Sequence, residues 1–586
     1  MFLEKLSEFA EQIALPPPMY QSTPIRYTIM LDAHGKFKRI DEDTNDKNKR
    51  GSLFIAPHCK RANAIKPKLL VDNVEYTLGL AREMSHPERV QAQHQAYVAQ
   101  IRECAEETKE LTVEAVARFL ESSDIDYITK EKPDLDPADN ITFRVDGVYP
   151  FEQDTVKSYW AKKAAASGTE QVMQCLVCGE MRPPVERLPI VIKGIPGGQS
   201  TGLTLISANA AAFESYGLNA SLIAPTCEVC GERFGNALNE LLRREDTHIV
   251  IPPLAYIFWV RDPVPNMDVP RLLQQATPGE VEKLFQSTWR GKAASTNLTA
   301  TAFYAATLSA SGARVVLRDW IETSVDTVQA NLQRYFTLQQ LQGGSGETRY
   351  FPLQFLINAT INPDTQEKPV AQVGQSLLRV ALHGGQIPQT LMYKTVRRIR
   401  TSRKIQPEQA ALIKMVLLSQ QDSLITDHER GHDMTTVNED CKDAAYLCGR
   451  LLAQLDYIQY KALGKVNATI VDRFYGTAST APAVVFPRLL RGAQPHLATI
   501  RQKRNKQTTG YMDYLDRELT KLLEDLPSFP SILALDRQGM FALGFYHQKA
   551  NFFSQGQGTA SDNGQLEVLD DTNVQTESAP LESEKE

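Results

Sequence analysis

The sequence predicts an α+β protein whose second half is all helix. Three observations predict this. Strand and helix patterns alternate irregularly up to residue 371, and strand signals vanish from residue 372 onward. Two C-x-x-C-G motifs, at Cys175 and Cys227, mark an insertion within the mixed part. The expected organisation is 1–170 for an N-terminal α+β part, 171–235 for a zinc-knuckle insertion, 236–371 for the remainder of the mixed domain, 372–554 for a C-terminal helical bundle and 555–586 for a disordered acidic tail.

The elements follow in order. Residues 2–13 are amphipathic and read as a short helix, stopped by Pro16-Pro-Pro18. Residues 26–31 and 36–40 alternate as two strands around the turn Asp32-Ala-His-Gly35, the second strand being basic. Residues 53–57 form another strand, and an apolar stretch occupies 69–80. Residues 88–102 and 113–122 read as helices; 141–145 is a strand leading into a helix at 155–166.

The cysteine motifs come next. Cys175-Leu-Val-Cys178-Gly179 and Cys227-Glu-Val-Cys230-Gly231 each read as a zinc knuckle. C-x-x-C spacing offers both sulfurs to one ion, and the following glycine lets backbone N–H groups turn toward the thiolates. Cys175, Cys178, Cys227 and Cys230 complete a closed structural zinc site, one per chain, with no position left for a catalytic water. Buried free thiols or a redox pair are the alternatives, and a doubled motif disfavours both. Because 48 residues separate Cys178 from Cys227, the clip pins the base of a sizeable excursion. That excursion carries Lys193-Gly-Ile-Pro-Gly-Gly-Gln-Ser-Thr-Gly202.

Beyond the second motif, 234–243 is a helix, 249–260 a buried strand, 278–286 a helix, 301–317 an apolar hairpin and 325–336 a helix. From there apolar residues recur at three- and four-residue intervals in 376–382, 390–400, 407–418, 443–463, 482–500 and 510–523, and the bundle closes with 531–549. The last 32 residues lack aromatics and periodicity.

The net charge of −6 hides an asymmetry, since residues 555–586 hold eight acids and one base, leaving about +1 on the body. Residues 36–68 carry ten bases against four acids, while 391–404 and 488–506 carry six each and no acid. Such clusters are the footprint of polyphosphate binding, with a solvated face as the bland alternative. Scattered Cys59, Cys104, Cys441 and Cys448 fit a reducing compartment. With no signal-peptide h-region and no apolar stretch of spanning length, a cytoplasmic protein without a membrane partner is expected.

Recognisable reaction chemistry is missing. Gly194 to Ser200 is one residue short of a P-loop, and Gln199 stands where its lysine belongs. His428 and His432 lack the further ligands of a metal phosphohydrolase, and neither a G-x-S-x-G nor a deaminase signature occurs. Binding chemistry is present instead. Lys66 and Lys68 flank Pro67, with Asn63 and Asn73 on either side. Lysines neutralise phosphates, and Asn and Gln read base edges. A thin glycine backbone such as 194–202 fits a minor groove, although Gly197-Gly198 alone also reads as a tight turn.

At these residues the chain resembles the large subunit of type I-C CRISPR Cascade surveillance complexes, the Dvulg-subtype protein. The blocks that carry the resemblance are Ile65-Lys-Pro-Lys-Leu-Leu-Val-Asp-Asn-Val-Glu-Tyr-Thr-Leu-Gly-Leu80 and Lys193-Gly-Ile-Pro-Gly-Gly-Gln-Ser-Thr-Gly-Leu203. Ser207-Ala-Asn-Ala-Ala-Ala-Phe-Glu-Ser-Tyr-Gly217, Gly312-Ala-Arg-Val-Val-Leu-Arg-Asp-Trp320 and Arg473-Phe-Tyr-Gly-Thr-Ala-Ser-Thr-Ala-Pro482 follow in the same order. The resemblance implies a non-enzymatic subunit bound to crRNA-carrying backbone subunits and acting in antiviral defence. It implies recognition of the protospacer-adjacent motif (PAM) in duplex DNA, strand separation with R-loop formation, and recruitment of a separate helicase–nuclease.

On that basis Lys66, Lys68, Asn73, Gly197, Gly198 and Gln199 are expected to surround the PAM. The resemblance also implies that the C-terminal bundle is made separately, as a small subunit from an internal start. Met434 is favoured over Met415, because Glu429-Arg-Gly431 can be encoded as a purine-rich ribosome-binding site and Thr435-Thr436 can cap the next helix. Arg488, Arg491, Arg501, Lys503, Arg504 and Lys506 would then track single-stranded, displaced DNA. Two other classes compete: a zinc-dependent nucleic-acid-processing enzyme, and an adaptor that binds only protein or RNA.

Overall fold

The structure, a computed structural model, describes residues 1–13, 16–17, 19–43, 51–59, 65–81, 86–122, 127–128, 131–132, 135–166, 172–265, 267–286, 301–343, 346–362, 371–421, 434–502 and 509–554. The expected acidic tail and His428 and His432 fall outside them. The architecture is α+β, with a helical C-terminal region. The chain divides into one unit of Met1–Arg261 with Ala306–Trp320 and a second of Asp262–Ala305 with Ile321–Glu586.

The first unit opens with α1 (Phe2–Ala10) and an antiparallel ribbon of β1 (Tyr20–Ile25) with β4 (Ser52–Pro57). Its main sheet runs β3 (Phe37–Glu42), β2 (Tyr27–Leu31), β6 (Asn140–Val145), β5 (Val71–Asn73), with β2 and β6 parallel. Alternation on β2 turns Tyr27, Ile29 and Leu31 inward, as a half-buried strand requires. The turn after β2 forms as its residues dictate: Asp32 Oδ1 accepts from the N–H groups of His34 and Lys36, both at 2.9 Å. Gly35 there has φ of +86°, and a Cβ on it would lie 2.4 Å from the Ala115 carbonyl oxygen. Helices α2 (Val74–Thr77), α3 (Pro87–Thr108), α4 (Leu111–Glu121) and α5 (Asp154–Ala166) complete this part, with Phe119 of α4 packed between Phe37 and Phe143.

After a two-residue strand pair, β7 (Met173–Gln174) and β8 (Met181–Arg182), comes α6 (Glu228–Arg243). The second sheet has the order β12 (Arg314–Ser324), β11 (Ala302–Ser311), β10 (Leu254–Val260), β9 (His248–Ile251). The single strand expected over 249–260 is in fact a hairpin, β9 and β10, turned at Pro252-Pro253. Two successive prolines remove two ladder donors, so a straight strand cannot pass through them. Phe2 of α1 packs edge-on to Trp259 and Trp320, at 6.3 and 5.4 Å between ring centres.

The second unit holds α7 (Val269–Gln275), α8 (Pro278–Gln286), α9 (Val325–Gln339), a small ribbon of β13 (Leu341–Gln342) and β14 (Thr348–Arg349), and α10 (Leu353–Asn358). Then follow α11 (Ala371–His383), α12 (Gln389–Ser402), α13 (Pro407–Gln421), α14 (Ala444–Leu463), α15 (Ile470–Ala478), α16 (Pro482–Gln502), α17 (Thr509–Glu524) and α18 (Leu535–Ser554). The axis of the bundle is the pair α14 and α18, which meet backbone to backbone at Gly449 and Gly544. Along that seam Tyr446 Oη lies 2.9 Å from His547 Nδ1, and buried Arg450 donates through Nε to Gln548 Oε1 at 2.8 Å. Asp443 caps α14, accepting from the N–H groups of Ala445 and Tyr446, so Thr435-Thr436 are not that helix's cap. A carboxylate directly before the first turn meets its free N–H groups; threonines seven and eight residues ahead of it cannot. Among the described residues no helix is long and apolar enough to cross a membrane.

Candidate metal centre and nucleic-acid interface

The four motif cysteines converge: their sulfurs all lie within 4.8 Å of one another. A tetrahedral ion with bonds of about 2.3 Å needs sulfurs about 3.8 Å apart, and Cys178 Sγ and Cys227 Sγ stand at 4.0 Å. The set therefore fits one tetrahedral, thiophilic cation.

Its two halves are built differently. Cys175 and Cys178 sit on a knuckle turn between β7 and β8, where the Gly179 N–H donates to Cys175 O and the Cys175 N–H to Glu180 O, each at 2.9 Å. The second half is not a knuckle. Cys227 is the N-cap of α6 and Cys230 lies in its first turn, with the Gly231 N–H already bonded to Cys227 O at 3.0 Å. A helix N-terminus stabilises thiolates through its free N–H groups and its dipole. The Cys230 thiol donates to Cys227, which with the Cys230 backbone N–H pulls the Cys227 thiol down to about 5. The same bond pushes Cys230 up. Cys175, Cys227 and Cys230 are buried and Cys178 is exposed. The hydrophobic cluster at the ligands is those three cysteines with Val177 against them.

Helix α6 connects the centre to the glycine loop. Gly231, Gly235 and Asn239 fall at four-residue steps along one face of it. A Cβ on Gly231 would lie 2.9 Å from Pro189 Cδ, and one on Gly235 would lie 2.6 Å from Ile190 Cβ. Only glycine lets residues 188–191 lie this close to the helix backbone. Asn239 then grips the outgoing chain, Oδ1 accepting from the Lys193 N–H at 3.0 Å and Nδ2 donating to Val191 O at 2.9 Å. Beyond the grip, Ile192 and Leu203 exchange both backbone bonds at 2.8 Å and close a loop of residues 193–202. Ile195 and Leu203 are its buried feet, while Lys193, Gly197, Gln199, Ser200 and Thr201 are exposed.

The other expected residues rest on other supports. Lys66 is exposed and Lys68 partly so, the Lys68 N–H bonding to buried Asp72 at 2.8 Å. Asn73 ends β5 and caps α2, its Oδ1 accepting from the Tyr76 N–H at 3.1 Å. On α16, Arg488 is exposed and lies over the Phe474 ring at 5.6 Å, Arg491 is exposed, and Arg501 pairs with Asp516 at 2.9 Å. Lys503, Arg504 and Lys506 fall outside the described residues.

A family model for the CRISPR-associated protein Cas_Csd1 matches residues 3–553, nearly the whole of the 586-residue chain. The chain belongs to the Csd1 family. Membership agrees with the resemblance to the large subunit of type I-C Cascade seen in the sequence. No curated protein matches the chain.

In this Csd1 chain the sequence reading missed Gly235 and Asn239, and it gave Gly231 to the thiolates where the structure packs it on Pro189. The signal of the two glycines is a four-residue spacing that continues the second C-x-x-C-G motif into a helix. Asn239→Ala deletes both bonds at the loop base. At about 0.5–1.5 kcal/mol net each, the loop should lose about 1–3 kcal/mol of local stability. Hydrogen exchange should accelerate at the Lys193 and Leu203 amides by about 5- to 150-fold. Unchanged protection at those two amides would show that Asn239 does not hold the loop.

Proposed function

We propose that this chain is the non-catalytic large subunit of a type I-C CRISPR Cascade complex. In this reading it recognises the PAM in duplex DNA, promotes strand separation and R-loop formation with the crRNA, and helps recruit a separate helicase–nuclease. Its partners are the crRNA-bound backbone subunits, the crRNA, the target duplex and its displaced strand, the helicase–nuclease and small subunits made from the same gene. The observation that carries the reading is the glycine loop: an exposed, narrow tip at Gly197 and Gln199 on a base fixed to the four-cysteine centre through Asn239. A tip with so little side chain can approach base edges in a narrow groove, and Gln199 supplies one donor and one acceptor there.

Zinc is the ion proposed for the centre, one per chain. Four thiolates close its shell and leave no site for an activated water, which argues for a structural ion and against a zinc hydrolase. Lys66 and Lys68 supply phosphate contacts beside Asn73, and Arg488 and Arg491 offer exposed cationic heads to a single strand. For a separate small subunit, Met434 is the better start: Met415 lies inside α13, so starting there would cut a helix, whereas Met434 precedes α14 by a turn segment.

The test compares duplexes that differ only in the flanking motif, using the assembled complex. Gln199→Ala should cost about 1–3 kcal/mol on the preferred motif and relax one position. Asn73→Ser is the matched variant, because serine keeps the cap of α2 and removes only the amide. Arg488→Ala and Arg491→Ala should instead weaken every sequence alike, and each should lower the salt slope by roughly 0.7–0.9, the share of one neutralised phosphate. An equal loss across all motifs for Gln199→Ala would reduce the loop to a phosphate contact.

A further inference from the structure

Between the glycine loop and α6 the chain makes a second excursion, residues 208–220, that PAM recognition leaves unused. It is a narrow finger. Ala208 and Ala220 exchange backbone bonds at its root, at 2.8 and 3.0 Å, and the Leu218 N–H closes the tip onto Ser215 O at 2.9 Å. The two tip residues, Tyr216 and Gly217, both have positive φ, +55° and +70°. That is the signature of a type I′ hairpin turn, whose first central position favours Asn, Asp or Gly. Here it carries a tyrosine, a bulky residue for which the left-handed region is an outlier.

Nothing in the finger rewards that choice by burial. Tyr216 is 101% exposed, and residues 209–217 are exposed throughout. The root, by contrast, is firm. Buried Ser221 bonds through its N–H to Glu186 O and through Oγ to Ile206 O, at 3.0 and 2.9 Å. Thr204 is bonded to Ala313 and Val315 at 2.9 and 3.0 Å. A polar cavity of about 500 Å³ lies between finger and body, lined by Arg187, Asn209, Glu214 and Asn219 among others, so the finger stands off rather than folding flat.

A strained, fully exposed aromatic on a pinned support is a feature whose stabilisation comes from outside the chain. The chemistry around it says which outside. At the tip the ring's neighbours are Glu214, Ser215 and Gly217; Leu218 is half-buried, and the other large exposed apolar side chain of the finger, Phe213, lies under the Arg314 guanidinium, so the tip presents a single ring and not a broad apolar face. A flat ring with both faces open is complete by itself as a stacking platform for a nucleobase. Exposed Glu214 lines the cavity behind the tip and disfavours phosphate there. Arg314 supplies the compensating charge at the root: its guanidinium lies 4.1 Å from the centre of the Phe213 ring and donates to Ser207 O at 3.4 Å. Among the described residues no carboxylate forms a salt bridge with it.

We infer that residues 208–220 form a nucleobase-stacking finger, with Tyr216 packing its ring on an unpaired base of the target DNA. This rests on the nucleic-acid reading of the chain, and the experiment separates the two. The full chain is titrated with a single-stranded oligonucleotide carrying 2-aminopurine, whose fluorescence is quenched by stacking. Tyr216→Gly is the decisive variant, since glycine suits the observed φ and removes only the ring. Affinity should fall by about 5- to 150-fold and the quench should disappear, with Tyr216→Phe close to wild type. Wild-type affinity and quench in Tyr216→Gly overturn the finger and leave motif-dependent duplex binding untouched. Loss of the quench in Tyr216→Gly, in a complex that shows no motif dependence, supports the finger while the PAM reading fails. If Tyr216→Gly instead releases other subunits of the complex and leaves the quench intact, the tip is a protein contact and the inference is overturned.

Discussion

Cys227→Ser should empty the four-cysteine centre and unfold the segment that depends on it. Bound metal should fall from one ion per chain to near zero. Structural zinc supplies on the order of 10–16 kcal/mol of apparent binding energy at pH 7, and the hydrophobic cluster at the ligands holds, beside the cysteines, Val177. The damage should be graded along the chain. The knuckle between β7 and β8 and the first turn of α6 should exchange freely, because their order comes from the sulfurs. The rest of α6 should persist, since it buries Phe234, Leu238 and Leu241 on its own account. The glycine loop should loosen in proportion, as residues 188–191 lose the ordered start of the helix they lie on. Proton linkage gives a second readout. The bond from Cys230 holds the Cys227 thiol low, while the same bond raises Cys230 and burial raises Cys178, so a shell of four thiolates closes only with loss of protons. Metal uptake should therefore release protons, and affinity should weaken as the pH falls. Retention of stoichiometric metal in Cys227→Ser would contradict the four-ligand site.

Gly544→Ala should destabilise the helical unit more than any surface change. A Cβ at residue 544 would stand 2.2 Å from the Tyr446 carbonyl oxygen, and one at residue 449 would stand 2.0 Å from that of Phe541. Both obstacles are backbone, so no side chain can rotate away, and α14 and α18 must separate. Separation also stretches the buried bonds of Tyr446 with His547 and of Arg450 with Gln548. Overpacking of about 1–3 kcal/mol and about 0.5–1.5 kcal/mol for each of the two buried bonds together come to about 2–6 kcal/mol. Melting should drop by roughly 4–24 °C, at about 2–4 °C per kcal/mol. Since α14 also supports α16, exposed Arg488 and Arg491 should lose their fixed spacing, and single-strand affinity should fall with stability. A melting temperature within about 2 °C of wild type would mean the helices are not in backbone contact.

The sequence made the ligand set legible because C-x-x-C spacing constrains four side chains directly. It made the first hairpin legible because Asp32 and Gly35 have one good use each, as a side-chain acceptor and as a positive-φ hinge. It misplaced the start of α6, which begins at Glu228, ahead of the expected residue 234. Gly231 and Gly235 look like helix breakers in isolation, at about 1 kcal/mol each against alanine. Their value appears only when Pro189 and Ile190 arrive from elsewhere in the chain. Asn73 shows the same limit in reverse. As a letter beside lysines it reads as a base reader, yet in the fold its oxygen caps α2. Asn239 carried no local signal at all, because its two partners lie 46 and 48 residues away.

Motif recognition through the glycine loop, as proposed, has one direct consequence for the assembled complex. The most direct measurement selects bound duplexes from a library randomised in the positions flanking the target, using complexes assembled with the wild-type chain, with Gln199→Ala, and without the chain. One short motif should be enriched with the wild-type chain, relaxed at a position by Gln199→Ala, and lost when the chain is left out. The same motif enriched equally in all three selections would contradict the account.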